Sequence, residues 1–127
     1  MKIRVKRSGF TLIEILIVMA IVAMLITLAV PRYFGSLEKS KETVLRETLA
    51  TTRDALDKYY ADNGKYPDSL DALVSKKYLR SIPFDPVTDS NATWAIIPSD
   101  DVEKGLVADI HSGAEGNSRD GKPFKEL

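Results

Sequence analysis

An apolar run from Phe10 to Val30 constrains this chain more than any other feature. The run is 21 residues long and carries one charge, that of Glu14. About 20 residues of α-helix, at ~1.5 Å of rise each, cover the ~30 Å hydrocarbon core of a bilayer. The run therefore predicts a helix that crosses a membrane once.

Glu14 is out of place in such a run. A carboxylate in an apolar interior is costly unless it is protonated or paired. The run contains no basic residue, and the nearest cations, Lys6 and Arg7, lie beyond Gly9. We therefore expect Glu14 to find no cation within the run and to meet a proton, another chain, or a charge that is created later.

Small residues, Ser8 and Gly9, separate the run from a basic leader that contains Lys2, Arg4, Lys6 and Arg7. A secretory signal peptide is cut at small residues that follow its apolar region, whereas here they precede it. Cleavage after Gly9 would create an α-amino group on Phe10, about one helical turn from Glu14. The amine of a neighbouring copy is then the partner that we expect for Glu14.

The segment from Lys6 to Glu14, KRSGFTLIE, resembles the processing motif of the type IV pilin superfamily. The resemblance implies that a prepilin peptidase cuts between Gly9 and Phe10 and that Phe10 becomes N-methylated. It also implies that Glu14 pairs with the N-terminal amine of an adjacent subunit during filament assembly.

Composition excludes several other classes of function. The chain has 127 residues, with 18 basic and 18 acidic side chains, and loss of the leader would leave 14 basic against 18 acidic. No basic surplus remains for nucleic-acid binding. The chain has no cysteine, one histidine (His111) and no glycine-rich phosphate loop, so we predict that it is not an enzyme.

Residues 31–64 predict an amphipathic continuation of the apolar helix. Asn63-Gly64 predicts its end. Pro31 lacks the N–H of the helical ladder, and with Gly35 it predicts a kink, although a boundary between membrane and soluble helix explains the same proline. The apolar residues that define one stripe are Leu37, Val44, Leu45, Leu49, Leu56, Tyr59 and Tyr60.

Residues 65–127 predict a small head, which makes the fold class α+β. Asp68 or Ser69 should cap a short helix, and Pro83 and Pro86 should stiffen a connector. Segments 93–97 and 105–110 predict an antiparallel hairpin, and a third short strand is expected near residues 123–125. The hairpin residues expected to pack on the long helix are Trp94, Ile96, Leu106 and Val107.

The end of the long helix and the head resemble the major pseudopilins of type II secretion in three segments, 59–67, 69–74 and 78–86. The head departs from them at Val87-Thr88-Asp89. Segment 109–116 is similar to the stretch that precedes their C-terminal Ca²⁺ loop. The resemblance implies a Ca²⁺ site, for which Glu115, Asn117 and Asp120 are the candidate ligands, and a solvated polar loop is the alternative.

The predicted organisation is a cleaved leader (1–9), a transmembrane and assembly helix (10–30), its amphipathic continuation (31–64) and a head (65–127). The resemblance implies a filament subunit of type II secretion, held in the bacterial inner membrane and then assembled into a periplasmic pseudopilus that drives protein export. The basic leader places the N-terminus in the cytoplasm and the head in the periplasm.

The implied partners are other copies of the chain, the prepilin peptidase, the inner-membrane assembly platform and minor pseudopilins, with no nucleic acid. Two alternatives stay open. One is a type IV pilin or pilus-like appendage subunit, and the other is a membrane-tethered binding domain.

Overall fold

A long helix begins within the processing motif and continues to the start of the head. The computed structural model describes residue 3 and residues 8–127, so the predicted leader residues Lys2, Arg4, Lys6 and Arg7 lie outside the described residues. Helix α1 spans Leu12–Asn63, and contacts divide the chain into two units, one up to Leu37 and one from Glu38. The predicted α+β class, a long apolar helix followed by a small head, is confirmed.

The first unit carries an apolar surface that nothing in the unit covers. Every residue from 8 to 37 is exposed, although most of their side chains are aliphatic. By length and composition, α1 is the one helix among the described residues that could cross a membrane. Its continuity through Pro31 and Gly35 means that neither residue ends the helix, and the kink predicted there stays a prediction.

The second unit is organised on one face of α1. The face is formed by Leu45, Leu49, Thr52, Ala55, Leu56 and Tyr59. Val44 was wrongly assigned to it and is 47% exposed, because at one residue before Leu45 it points about 100° away. Thr52 was missed because it is polar, but its hydroxyl donates to the Thr48 carbonyl (2.8 Å) and so tolerates burial.

The predicted end of α1 and the predicted short helix are confirmed. Helix α1 ends at Asn63, where Gly64 has a φ of 73° and donates its N–H to the Tyr60 carbonyl. Helix α2 spans Leu70–Ser75, and the Ser69 hydroxyl caps it by accepting the Ala72 N–H.

The antiparallel hairpin is present, but it is shorter than predicted. Strand β1 (Ala95–Ile97) pairs with β2 (Asp109–His111), with Ile96 opposite Ile110. Segment 105–108 was predicted as strand, but its Val107 N–H donates to the Pro67 carbonyl (3.0 Å), and only its Ala108 N–H reaches β1, at the Ile97 carbonyl (2.9 Å). A short 3₁₀ helix, Phe124–Glu126, replaces the third strand expected near residues 123–125.

Two of the four hairpin residues that were expected to pack on the long helix are buried. Trp94 and Val107 are buried, whereas Ile96 and Leu106 are 42% and 49% exposed. Leu106 and Val107 lie outside both strands, so a strand pattern does not decide which of the two is buried. Buried residues that complete the core include Leu73, Ile110 and Leu127.

Gly105 lies against the backbone of Tyr66. Its φ is 100°, and a Cβ there would lie 2.1 Å from the Tyr66 carbonyl oxygen. We expect Gly105→Ala to destabilise the head by about 2–4 kcal/mol, because it adds a backbone clash to a strained φ. The fluorescence of Trp94, the single and buried tryptophan, would report the fall in melting temperature.

Gly64→Ala is the matched control for this prediction. Gly64 also has a positive φ, of 73°, but a Cβ there meets no atom within 4 Å. It should therefore cost only the left-handed backbone conformation, about 1 kcal/mol. Equal melting temperatures for the two variants would contradict the assigned contact between Gly105 and Tyr66.

Candidate functional site

The N-terminus of α1 is closed by a reciprocal pair of hydrogen bonds between Thr11 and Glu14. The Thr11 N–H donates to Glu14 Oε2 (2.9 Å), and the Glu14 N–H donates to Thr11 Oγ1 (3.2 Å). This is a capping box, which satisfies two N–H groups that the helix leaves free. The box supplies Glu14 with a hydrogen-bond partner in its own chain but with no cation, so the expected pairing with an amine stays a prediction. The Thr-x-x-Glu spacing is the signal that the sequence interpretation overlooked.

The capping box leaves Glu14 able to accept more hydrogen bonds. An ionised carboxylate has about four acceptor sites, and Thr11 takes one of them. Glu14 is exposed on an apolar helix surface, beside Phe10, which is 83% exposed. Monomeric soluble proteins rarely expose apolar patches above a few hundred Å², so lipid or protein must cover this surface. Glu14 thus keeps free hydrogen-bond acceptor sites on an apolar surface that lipid or protein must cover.

Gly9 and Phe10 precede the helix and are exposed. The peptide bond between them lies outside the α1 ladder, which begins at Leu12. A Cβ at Gly9 would meet no atom within 4 Å. A larger residue at position 9 therefore fits this structure. If such a residue altered cleavage of the chain, it would do so by changing the contact with the peptidase and not by disturbing the fold.

A second cluster of polar residues ties the C-terminal segment to α1. Arg53 donates from Nε to Asp109 Oδ1 (2.8 Å) and from Nη2 to the main-chain oxygens of Ile110 (3.0 Å) and Leu127 (2.7 Å). The planar guanidinium suits such divided contacts. The local sequence gives no sign of this role, because the three acceptors of Arg53 lie more than fifty residues away.

Two of the three candidate Ca²⁺ ligands contact cationic side chains of the protein. Glu115 Oε1 accepts from Lys125 Nζ (2.8 Å), and Asp120 Oδ2 accepts from Arg46 Nη2 (3.3 Å). The other Asp120 oxygen accepts from the Ser118 hydroxyl, and Asn117 forms an isolated bridge with Pro123. Among the residues that the structure describes, no group of three or more His, Cys, Asp or Glu could hold a metal ion.

The pKa values of Glu115 and Asp120 are both lowered by the contacts just described. The hydrogen bond and charge of Lys125 hold the pKa of Glu115 below its usual value. The Ser118 hydroxyl lowers the pKa of Asp120, with a smaller contribution from Arg46. Because both pKa values are lower in the folded state, the stabilisation is present above the unfolded values and is lost as the pH falls through the folded ones. As arranged, these residues do not fit a Ca²⁺ site.

Asp85 is the fully buried carboxylate of the head, and the sequence interpretation gave it no role. Asp85 Oδ1 accepts from the N–H groups of Val87 (2.9 Å) and Thr88 (3.3 Å), and Oδ2 accepts from the Ser112 hydroxyl (2.5 Å). Ser112 in turn accepts the Ala114 N–H. This network joins the proline-rich connector to the segment that follows β2.

His111 and Ser112 are adjacent in sequence but turn to different partners. His111 Nε2 lies 3.6 Å from Asp109 Oδ2, while the buried Ser112 hydroxyl donates to Asp85. A nucleophilic serine needs its base within hydrogen-bond reach. His111 and Ser112 therefore do not form a nucleophile–base pair, and their contacts stabilise the fold.

Comparison with known proteins gives the class of this chain. Residues 4–30 match the family model described as the prokaryotic N-terminal methylation motif. An apolar N-terminal helix introduced by that motif, followed by a small α+β head, defines a type IV pilin-like protein. No solved structure matches the chain significantly.

Curated relatives narrow the class to one family. The chain is 31% identical to type II secretion system core protein G of Vibrio cholerae, over 91% of this chain and 90% of the relative. It is 34% identical to core protein G of Aeromonas hydrophila, over 64% of this chain and 68% of that protein. It is 36% identical to core protein G of Pseudomonas aeruginosa, over 65% of this chain and 70% of that protein. The chain belongs to the type II secretion system core protein G family of pseudopilins.

Proposed function

We propose that the chain is a structural filament subunit of a type II secretion system. It is made as a precursor whose basic leader stays in the cytoplasm while α1 spans the inner membrane and the head lies in the periplasm. A prepilin peptidase cuts between Gly9 and Phe10, and Phe10 is methylated. The subunit then leaves the bilayer by packing its apolar helix against other copies, and the growing pseudopilus drives protein export.

The observation that carries the proposal is the fully exposed apolar surface of residues 10–37 with one carboxylate near its start. Lipid can cover the aliphatic side chains, but it offers Glu14 no cation. A filament core offers both, because neighbouring helices cover the aliphatic surface and a neighbour's Phe10 amine pairs with Glu14. The filament thus replaces lipid as the apolar solvent of α1.

The proposed partners follow from the same steps. The peptidase recognises the leader, other copies cover α1, and the inner-membrane assembly platform with minor pseudopilins starts the filament. The mature chain would carry 14 basic and 18 acidic residues, so its surface has no basic surplus for nucleic acid.

Gly9→Val tests the cleavage step. A β-branched side chain next to the scissile bond should block the peptidase, so the variant should accumulate as a precursor nine residues longer than the mature chain. Immunoblotting of membranes from cells that carry the secretion machinery measures this. Because a Cβ at Gly9 has open space, the change should leave the fold intact.

Gly35→Val is the matched control, since a Cβ at Gly35 would also meet no atom within 4 Å and this glycine lies well outside the motif. It should be processed as the wild type is. Normal cleavage of Gly9→Val would contradict the assignment of Gly9 as the residue that precedes the cleaved bond.

A further inference from the structure

A charged stripe on α1, here called the clamp, faces the C-terminal segment. The clamp consists of Glu42, Arg46 and Arg53, whose spacings of four and seven residues place them on one side of the helix. Arg53 forms the end of the clamp nearer to β2, through Asp109 and two main-chain oxygens. These contacts hold the two ends of segment 109–127 to the same helix.

Glu42 and Arg46 form the other end of the clamp and hold the tip of the loop. Arg46 Nη2 lies 3.2 Å from Glu42 Oε1 and 3.3 Å from Asp120 Oδ2. Glu42 Oε2 accepts the Arg119 N–H at 3.1 Å. One turn of α1 therefore holds both a side chain and a main-chain group of the loop.

The loop is also closed by its own backbone. The Ser118 N–H donates to the Lys122 carbonyl (2.7 Å), and the Phe124 N–H donates to the Gly116 carbonyl (3.1 Å). Ser118 is buried, so its hydroxyl holds Asp120 in a fixed position. The loop thus presents Asp120 to Arg46 from a closed turn.

Cationic side chains of the protein contact the carboxylate oxygens that would have to bind a metal ion. Arg46 lies at one Asp120 oxygen and Lys125 at Glu115 Oε1. A divalent cation bound by these carboxylates would be repelled by the guanidinium and by the ammonium group. It would also have to replace the Ser118 hydroxyl at the second Asp120 oxygen.

We propose that the clamp, with the Glu115–Lys125 pair, closes the C-terminal loop in place of the Ca²⁺ ion that the resemblance to major pseudopilins implies. In this chain the cations that neutralise the loop are side chains of the protein. The head is therefore folded without metal, and its loop is sensitive to salt. This inference goes beyond filament assembly and does not depend on it.

Thermal unfolding of the full chain in detergent, followed by Trp94 fluorescence, tests the metal directly. Melting temperatures in EGTA and in 1 mM CaCl₂ should agree within about 2 °C, with MgCl₂ as the control cation. A resident ion present at a hundred times its Kd would raise the value by on the order of 10 °C. A rise of about 5 °C or more that is specific to Ca²⁺ would overturn the proposal.

Arg46→Met tests the clamp itself, because it keeps the length of the side chain and removes its charge. We expect the melting temperature to fall by roughly 3–8 °C, because the variant loses both ion pairs of Arg46. Lys39→Met, an exposed lysine of the same helix outside the clamp, should change it by less than about 2 °C. The wild type should lose more stability than Arg46→Met between 50 mM and 1 M NaCl.

A double-variant cycle decides whether Arg46 acts through Asp120. If the two residues are coupled, Arg46→Met combined with Asp120→Asn should cost little more than either change alone. Fully additive losses would show that Arg46 stabilises the head by another contact, and the clamp would then be rejected as the device that closes the loop. The cycle is read on the protein without added metal.

Discussion

Replacing Glu14 by alanine is expected to leave precursor cleavage and membrane insertion intact and to reduce filaments by at least about a hundredfold. In a filament core, loss of the carboxylate leaves the amine of a neighbouring Phe10 buried without its counter-ion. Removing one partner of a buried ion pair costs about 3–5 kcal/mol, or more than a hundredfold in an association constant. Filaments sheared from cells and counted by electron microscopy measure the effect.

Glu14→Gln separates the charge of Glu14 from its local hydrogen bond. Glutamine also serves at this position of a capping box, so the Thr11 N–H keeps its acceptor and the helix keeps its start. We expect the glutamine variant to fail in assembly as the alanine variant does. Normal filaments from Glu14→Gln, with none from Glu14→Ala, would assign the role to the capping box and contradict the pairing with an amine.

Asp85→Ala is expected to destabilise the head strongly. The change removes a fully buried carboxylate and leaves the N–H groups of Val87 and Thr88 and the Ser112 hydroxyl without their acceptor. Buried donors left in this way, together with the cavity, cost about 3–5 kcal/mol. Whole-domain stability is only about 5–15 kcal/mol, so the melting temperature should fall by roughly 15–30 °C.

Two controls accompany this measurement by Trp94 fluorescence. Asp85→Asn keeps the shape and one carbonyl acceptor, so it should lose less than half as much. Asp57→Ala makes the same chemical change at an exposed position of α1 and should shift the melting temperature by less than about 3 °C. An Asp85→Ala protein as stable as Asp57→Ala would show that the network does not hold the connector to the segment after β2.

The sequence predicts this molecule well where the determinants are local. Hydrophobic run length predicts the apolar half of α1, Asn63-Gly64 predicts its end, and Ser69 caps α2 where the pattern placed a cap. Each of these depends on residues within one or two turns. Thr11-x-x-Glu14 is equally local, and it was missed because Glu14 was interpreted only as a charge in an apolar run.

The remaining features depend on contacts that are distant in sequence. Asp85 lies between two prolines and reads as a loop residue, and its burial is decided by Ser112, 27 positions away. Segment 105–108 has strand-like composition, but its Val107 N–H donates to Pro67, forty positions away, and only its last residue, Ala108, bonds to β1. The roles of Arg46 and Arg53 also arise from acceptors more than fifty residues distant. Single-sequence patterns contain none of these pairings.

The intact mass of the polypeptide recovered from sheared filaments tests the central claim most directly, because it reports processing and assembly in one sample. The account predicts a single species that begins at Phe10, lacks the nine leader residues and carries one additional methyl group. A filament fraction in which the chain begins at Met1, or one that does not contain the chain while the cells secrete normally, would contradict it.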